Sequence, residues 1–306
     1  MTDAVAVLAN VTKRYGAQLG VSDLDFIARA GERIGLIGHN GAGKSTLIKL
    51  ILGLLRPTSG RVEVLGEDLA WQTSRGVRLQ MGYLPENLVF PPSMSGEEVL
   101  AFYARLKQQP VSSNRELLER VGIAHAAKRR VATYSKGMRQ RLGLAQALLG
   151  TPRILLLDEP TTGLDPALRE KFYQIIGEMS EAGTSVVLSS HALAELEGEV
   201  DRLVVMSNSC KVADGTVQEL RRMLHDPVRI RVTLADTQIA IAPGVLGEIE
   251  WKRHGPQTME IRCREADKMD VLRRLSSLSA AIEDIEIVTP GLDAIYTQFL
   301  GQEAAE

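Results

Sequence analysis

The feature that most constrains the fold is a glycine-rich loop, Gly38-His39-Asn40-Gly41-Ala42-Gly43-Lys44-Ser45, between a short apolar run and a helical pattern. Residues 33–37 form the apolar run, and leucines and isoleucines recur at helical spacing from Lys44 onward. Glycines let backbone N–H groups converge on phosphate oxygens, and a helix N-terminus adds a positive end. The sequence therefore predicts a strand–loop–helix unit that binds a polyphosphate. Its predicted ligands are Gly38, Asn40, Gly41, Gly43, Lys44, Ser45 and Thr46, with Ser45 also able to ligate Mg²⁺.

Two acids and a histidine follow later apolar runs. Asp158 and Glu159 come directly after an apolar stretch, and His191 follows the run 185–190. Nucleotides bind outside the carboxyl ends of the strands in open parallel sheets, so these side chains are candidates for the chemistry of the site. Adjacent residues on a strand point to opposite faces, which predicts different roles for the two acids. Taken alone, an acid pair before a proline is typical of a helix cap, and a single histidine is typical of a structural residue.

Strand and helix patterns alternate along most of the chain, which predicts an α/β fold with a mainly parallel core sheet covered on both faces. Residues 5–37 have the pattern of strands, and residues from about 87 to 150 have the pattern of a helical insertion into the sheet. The sequence pattern changes near residue 225. The predicted domains are therefore 1–224 and a small α+β accessory domain, 225–306, whose last helix begins at Leu292.

Composition narrows the classes of partner and compartment. The net charge is −2 and the pI is about 6.3, which gives no general attraction to nucleic acid. Cys210 and Cys263 stand far apart with no metal-ligand spacing, which favours a reducing compartment. Neither a signal peptide nor an apolar run of membrane-spanning length is present. We therefore expect a soluble cytoplasmic chain whose membrane partner is a separate polypeptide.

The segment Tyr134-Ser135-Lys136-Gly137-Met138-Arg139-Gln140-Arg141 lies between the glycine-rich loop and the acids. A Ser-x-Gly turn (residues 135–137) that opens a helix at this place resembles the signature motif of ATP-binding cassette (ABC) proteins. In that family, the turn caps the γ-phosphate of ATP held by a second copy. The resemblance implies the ABC ATPase form of the P-loop NTPase fold, with an N-terminal antiparallel β subdomain. It also implies ATP and Mg²⁺ as cofactors and a homodimer that encloses two ATP molecules.

The resemblance also implies a role for each candidate residue. Glu159 polarises the attacking water, His191 contacts the γ-phosphate, and Asp158 coordinates Mg²⁺ through water. The other implied contacts are Tyr15 stacking on adenine, Ser135 and Gly137 on phosphate, Glu86 on Mg²⁺, and Asp165 in a loop that senses the second site.

Two positions depart from the family pattern. Where the family usually has Leu-Ser-Gly-Gly-Gln, this chain has Tyr134, Lys136 and Met138. One glycine is lost and one lysine is gained, so the turn has less backbone freedom and more positive charge. Glu86 stands where the family usually has glutamine. Its carboxylate can still offer oxygen to Mg²⁺, but it repels the γ-phosphate when the metal is absent.

The type of ABC protein is a further expectation. One complete cassette without a sustained heptad run favours the ATPase subunit of an ABC transporter over a soluble ABC ATPase that acts on ribosomes or DNA. Residues 1–224 resemble cassettes of drug exporters and gliding machinery. The stretches 83–87, 130–141, 227–231 and 283–287 resemble the NosF-type ATPases of nitrous-oxide reductase maturation.

The NosF-type resemblance implies a subunit peripheral to the cytoplasmic face of the bacterial inner membrane. It would drive an integral permease and, through it, a periplasmic accessory protein. ATP hydrolysis would energise the delivery of a sulfur or copper species for copper-site assembly of nitrous-oxide reductase. The alternative is an ATPase of a drug- or lipid-type ABC exporter.

Overall fold

The computed structural model of the protein describes residues 4–69, 75–191, 193–223, 228–235, 250–276 and 282–288. The chain separates into two compact units, Met1–Val217 and Gln218–Glu306. The predicted domain boundary between residues 224 and 225 lies outside the described residues, as does the last predicted helix, from Leu292.

Strands and helices alternate along the first unit. In chain order they are β1 (Ala4–Tyr15), β2 (Gln18–Arg29), β3 (Arg33–Ile37), α1 (Lys44–Ile51), β4 (Ser59–Val64), β5 (Glu67–Asp68), α2 (Arg75–Leu79), β6 (Met81–Leu84), α3 (Gly96–Leu106), α4 (Asn114–Arg120), α5 (Lys136–Leu148), β7 (Ile154–Leu157), α6 (Pro166–Glu181), β8 (Ser185–Ser190), β9 (Arg202–Ser207) and β10 (Cys210–Thr216). The sequence pattern did not predict β5, α2 or β10. β10 is half-buried along nearly its whole length, so it lacks the alternation that identifies a strand.

An antiparallel sheet forms the N-terminal part of this unit, with strand order β2-β1-β4-β5. β1 and β2 form a hairpin whose turn contains Gly16 at a φ of 60°. Val11, Val21 and Leu24 are fully buried on the face that packs into the core. The predicted antiparallel β subdomain is confirmed.

The core sheet has the order β10-β9-β3-β8-β7-β6. Every neighbouring pair from β9 to β6 is parallel, and only β10 pairs antiparallel among these strands. All described residues of β7 and β8 are buried, because strands in the middle of such a sheet are covered on both faces. The predicted α/β fold with a mainly parallel core sheet is confirmed.

The helical insertion lies between β6 and β7 and contains α3, α4 and α5. α3 begins with a capping box, in which Ser95 Oγ accepts from the Glu98 N–H and the Glu98 carboxylate accepts from the Ser95 N–H. Ser135 is the N-cap of α5, and its Oγ accepts from the Met138 N–H at 3.2 Å. The helix therefore starts at the predicted Ser-x-Gly turn.

Glycines let α5 lie close to the core sheet. A Cβ placed on Gly82 of β6 would lie 2.4 Å from the carbonyl oxygen of Ala147. A Cβ placed on Gly143 of α5 would lie 2.7 Å from Leu84 Cδ1. Both distances are shorter than van der Waals contact, so this approach of helix to strand requires glycine on both sides.

The second unit is a four-stranded antiparallel sheet with helices. Its described elements are α7 (Val217–Met223), whose first residue still belongs to the first unit, β11 (Val228–Leu234), β12 (Glu250–Arg253), β13 (Thr258–Cys263), α8 (Lys268–Ser276) and β14 (Ile282–Val288). The strand order is β12-β13-β11-β14. Ile230, Val232 and Ile261 pack against Val271 and Leu275 of α8. The described part is α+β, and its strand β12, in which every residue is exposed, was not predicted.

Two glycines in helix interiors have opposite surroundings. Leu84 and Leu88 crowd the Cβ position of Gly143, whereas no atom lies within 4 Å of the Cβ position of Gly177 in α6. Alanine in place of glycine favours a helix by about 0.5–1 kcal/mol. We expect Gly177→Ala to raise the free energy of unfolding by that amount. Gly143→Ala should lower it by about 1–3 kcal/mol, because overpacking outweighs the helix gain. Denaturant unfolding measures both, and equal stabilisation would contradict the tight packing of α5.

Candidate functional site

The glycine-rich loop connects β3 to α1. Gly43 has a φ of 108°, and a Cβ there would lie 2.6 Å from the carbonyl oxygen of Gly20. Only glycine fits a position with both this backbone conformation and this contact. Gly41 likewise has a φ of 87°. The N-cap residue Gly43 makes no side-chain cap bond to the start of α1, so an anion can accept from the first N–H groups of this helix.

Lys44 is the first residue of α1, and its side chain turns back into the loop. Its Nζ donates to the carbonyl oxygens of Gly38 at 2.6 Å and His39 at 3.3 Å, and lies 4.0 Å from Glu159 Oε1. Burial lowers the pKa of Lys44, and nearby carboxylates, of which Glu159 has the largest effect, oppose that shift. The ammonium is held by neutral carbonyls that phosphate oxygens could replace.

Asp158 lies at the carboxyl end of β7. The structure brings it to Ser45, whose Oγ donates to Asp158 Oδ1 at 3.2 Å. Ser189 of β8 donates to the same oxygen at 2.7 Å, and Asp158 is buried. The two residues predicted to serve a metal, one in the loop and one after β7, are therefore adjacent in space.

Glu159 does not continue the strand. Its backbone has a φ of 50°, a left-handed conformation that non-glycine residues rarely adopt. This turn directs the Glu159 carboxylate towards His191, whose Nδ1 lies 2.6 Å from Glu159 Oε2. We expected the two acids to diverge by strand alternation. That reason was wrong, because the backbone turn at Glu159 separates them.

Ser189 was not identified from the sequence. Its hydroxyl donates to Asp158 Oδ1 and accepts from the Glu159 N–H at 2.9 Å, so one buried group holds both acids. The available signal was a serine inside the apolar run 185–190, two positions before His191. A serine in an apolar run does not by itself indicate a functional residue. Only the hydrogen-bond partners of Ser189 in the folded chain do so.

These groups line a cavity of about 570 Å³. Its lining residues are Tyr15, Gln18, Leu19, Gly20, His39, Asn40, Gly41, Ala42, Gly43, Lys44, Ser45, Thr46, Glu86, Asp158, Glu159, Thr162 and His191. The predicted residues Tyr15, Glu86 and His191 are among them. Gly20 was missed: a Cβ there would lie 2.7 Å from Tyr15 Cε2, so this glycine gives the ring its place beside the loop.

Three carboxylates line the cavity beside a single lysine among the described residues. Their negative potential is felt at Tyr83, where burial first, and then Asp158 and Glu86, raise the pKa to about 12. A polyphosphate entering alone would meet repulsion from these acids. The oxygen donors of Ser45, Asp158 and Glu86 are of the type that Mg²⁺ prefers. The donor set therefore fits a divalent cation that arrives with the nucleotide.

Some predicted residues lie elsewhere. Ser135 and Gly137 are outside the lining of the cavity, at the start of α5. Asp165 is also outside it, exposed, and its side chain accepts from the Leu168 N–H as the cap of α6. Gly38 contributes its carbonyl oxygen to Lys44 without lining the cavity. None of these four touches the cavity of its own chain.

No helix in the described ranges is long and apolar enough to cross a membrane. The same ranges hold no group of three or more His, Cys, Asp or Glu side chains arranged around a metal position.

Comparison of the sequence with known proteins gives matches to ATP-binding proteins of ABC transporters. The sequence model of the ABC transporter family matches residues 21–162. The chain is 32% identical to the daunorubicin resistance ATP-binding protein DrrA3 of Streptomyces coeruleorubidus, over 99% of this chain and 98% of that protein. It is also 32% identical to the doxorubicin resistance ATP-binding protein DrrA of Mycobacterium tuberculosis, over 96% of this chain and 93% of that protein.

Solved structures agree on the fold. The structure of an ATP-binding subunit of an ABC transporter superposes with a TM-score of 0.67 at 32% identity, over 72% of this chain and 92% of that one. A dimeric bacterial ABC transporter cassette superposes with a TM-score of 0.65, over 69% of this chain and 98% of that one. Its 23% identity supports the fold alone.

The hydrogen bonds that Ser189 makes to Asp158 and Glu159, here called the serine bridge, can be tested with a matched control. Ser189→Ala removes the shared partner of Asp158 and Glu159, so we expect nucleotide hydrolysis to fall by about 10- to 100-fold, as for other groups that orient metal ligands. Ser185, on the same strand, has a buried hydroxyl without a hydrogen-bond partner among the described residues. Ser185→Ala should leave the rate unchanged. Equal rates in the two variants, measured by phosphate release at several Mg²⁺ concentrations, would refute the bridge.

Proposed function

We propose, from the premise that this chain belongs to the ABC transporter family as an ATP-binding subunit, that two copies close around two ATP molecules to drive a separate permease. Family membership makes the chain an ATPase. In the proposed dimer, each site combines the glycine-rich loop of one copy with the Ser-x-Gly turn of the other.

One observation carries the dimer proposal. Ser135 is the exposed N-cap of α5, and neither Ser135 nor Gly137 lines the cavity of its own chain. A helix N-terminus favours an anion, and the first N–H groups of the helix need an acceptor from outside it. The phosphate of a nucleotide held by a second copy would supply that acceptor.

The proposed chemistry follows from the positions of Glu159 and His191. The Glu159 carboxylate, close to Lys44 and hydrogen-bonded to His191, is placed to accept a proton from the attacking water. His191 has a largely exposed side chain at the mouth of the cavity, where it can donate to the γ-phosphate. Mg²⁺ held by Ser45 and Asp158, with Glu86 at the rim, would neutralise charge on the phosphates.

Replacing the proposed base tests the dimer. Glu159→Gln keeps the shape of the side chain but cannot accept the proton, so ATP should stay bound and hold two copies together. We expect hydrolysis to fall by about 100-fold or more and light scattering to report a dimer with saturating ATP. Lys44→Ala in the same background should stay monomeric, because the phosphate contact is lost. A monomer in both variants would exclude the proposed function.

The proposed permease site lies on the helical insertion. Phe102 and Leu106 are one turn apart on α3, and their side chains are about half exposed. Val89, just before α3, is 86% exposed. Phe102 stands edge-on to Tyr103, which in turn contacts Phe90, so the surface is an ordered apolar one. An apolar helix face of this kind fits an amphipathic cytoplasmic helix of a permease at the inner face of a bacterial membrane.

A charge on α3 tests that surface. Phe102→Glu should abolish co-purification with the permease, because docking would bury an unpaired carboxylate. ATP hydrolysis by the isolated subunit should remain within about twofold, since surface changes away from a site are nearly neutral. Leu54→Glu, at an exposed apolar residue that follows α1, is the control with the same change of charge. Loss of binding in both variants would point to a general charge effect rather than an apolar contact.

The proposed cargo class is that of a drug- or lipid-type exporter. It rests on near full-length similarity to proteins named for resistance to daunorubicin and doxorubicin. The NosF-type function is kept as a second candidate, because the stretches 83–87 and 130–141 resemble that group. Deleting the gene separates the two: lowered drug resistance supports export, and loss of nitrous-oxide reductase activity with resistance intact supports copper-site assembly.

A further inference from the structure

Gln140 connects the helical insertion to the loop that follows Glu159. It lies on α5, one turn beyond the Ser-x-Gly turn, and its Nε2 donates to the carbonyl oxygen of Pro160 at 2.8 Å. Gln140 is 7% exposed and Pro160 is buried. A buried carbonyl requires a donor, so this bond fixes the backbone directly after Glu159 to α5.

The same part of α5 packs on the residues that follow. A Cβ placed on Gly163 would lie 2.8 Å from Lys136 Nζ, so the lysine side chain lies across this glycine. A Cβ placed on Gly137 would lie 3.7 Å from Leu168 Cδ1 and 3.8 Å from Leu164 Cδ2, which is van der Waals contact. Together with the bond from Gln140, these contacts join the first turn of α5 to residues 160–168.

Besides the hydrogen bond from the Thr162 N–H to its own carbonyl oxygen at 3.4 Å, the backbone at Glu159 is therefore held by two more distant elements. Its N–H is bonded to Ser189 of the core sheet, and the next carbonyl is bonded to Gln140 of the insertion. Between these anchors, its backbone keeps a left-handed φ of 50°. Loss of either anchor would let this unfavourable conformation relax and the carboxylate move.

We propose that Gln140 is a positioning residue that ties the carboxylate of Glu159 to the Ser-x-Gly turn of the same copy. This inference rests on the proposed function, in which that turn contacts the ATP held by the other copy. ATP on one copy then orients, through α5 and the Gln140–Pro160 bond, the base that acts on the ATP of the other. The two ATP sites become cooperative because this bond connects the turn that contacts one ATP to the base that acts on the other.

Gln140→Met tests the bond with a side chain of similar length that cannot donate. We expect the ATP dissociation constant of the subunit to stay within about twofold, because the glycine-rich loop is intact. The kcat should fall by about tenfold or more, because the base is misplaced. The Hill coefficient for ATP should fall from about 2 towards 1. Gln146→Met, the same change further along α5, should leave all three quantities unchanged because the Pro160 bond remains.

Gln140→Glu adds a readout that a merely structural role would not produce. A protonated carboxyl can donate to the Pro160 carbonyl, whereas a carboxylate cannot. Burial raises the pKa of a carboxyl group, which brings the switch towards neutral pH. The kcat of Gln140→Glu relative to wild type should therefore rise as pH is lowered from about 8 to about 6. The same ratio for Gln140→Met should stay flat.

Three results would overturn the proposal. They are an unchanged kcat and Hill coefficient in Gln140→Met, a fall in kcat matched by an equal fall in ATP affinity, and a flat pH ratio for Gln140→Glu. Failure of the proposed function looks different: Glu159→Gln with Gln140 intact would then form no ATP-dependent dimer.

Discussion

The parallel pairing of β3, β8 and β7 is the constraint on which the whole site depends. The registers pair Ile37 with Ser190 and Leu157 with Leu188, so the three strands end at nearly the same level. The glycine-rich loop leaves the first strand there, and the two acids leave the third. Ser189, on the middle strand, reaches both acids. A shift of this register by one residue would send the Ser189 hydroxyl to the opposite face of the sheet.

Electrostatics explains why the cavity suits a nucleotide that arrives with a cation. Lys44 is buried and satisfied by carbonyl oxygens, while carboxylates surround it. Positive charge that accompanies the ligand therefore strengthens the attraction of phosphate to the site. Glu86 at the rim increases this dependence, and the positive end of α1 acts in the opposite direction.

The helical insertion has two distinct surfaces with different consequences. One surface carries the apolar side chains of α3, which would face a membrane partner. The other presents the Ser-x-Gly turn and, one turn later, the Gln140 contact with the backbone after Glu159. Because α5 packs closely on β6 through glycines, a displacement of this helix can be passed to the core sheet with little deformation. Coupling of transport to hydrolysis would then require only small movements of the insertion.

Local chemistry was predictable from the sequence because it depends on neighbouring residues. The glycine-rich loop, the helix start at Ser135 and the buried runs that became β7 and β8 all follow from spacing within a few residues. Strands without apolar alternation, β10 and β12, could not be found in this way.

The tertiary structure decided which distant groups meet. Ser189 and Asp158 are 31 residues apart, and Gln140 and Pro160 are 20 apart, so no local pattern relates them. The left-handed turn at Glu159 is likewise fixed by its anchors rather than by its own preference, since glutamate alone would avoid it. The sequence thus determined which residues could do the chemistry. Strand register and helix packing determined which of them hold the others in place, because those contacts exist only after the chain has folded.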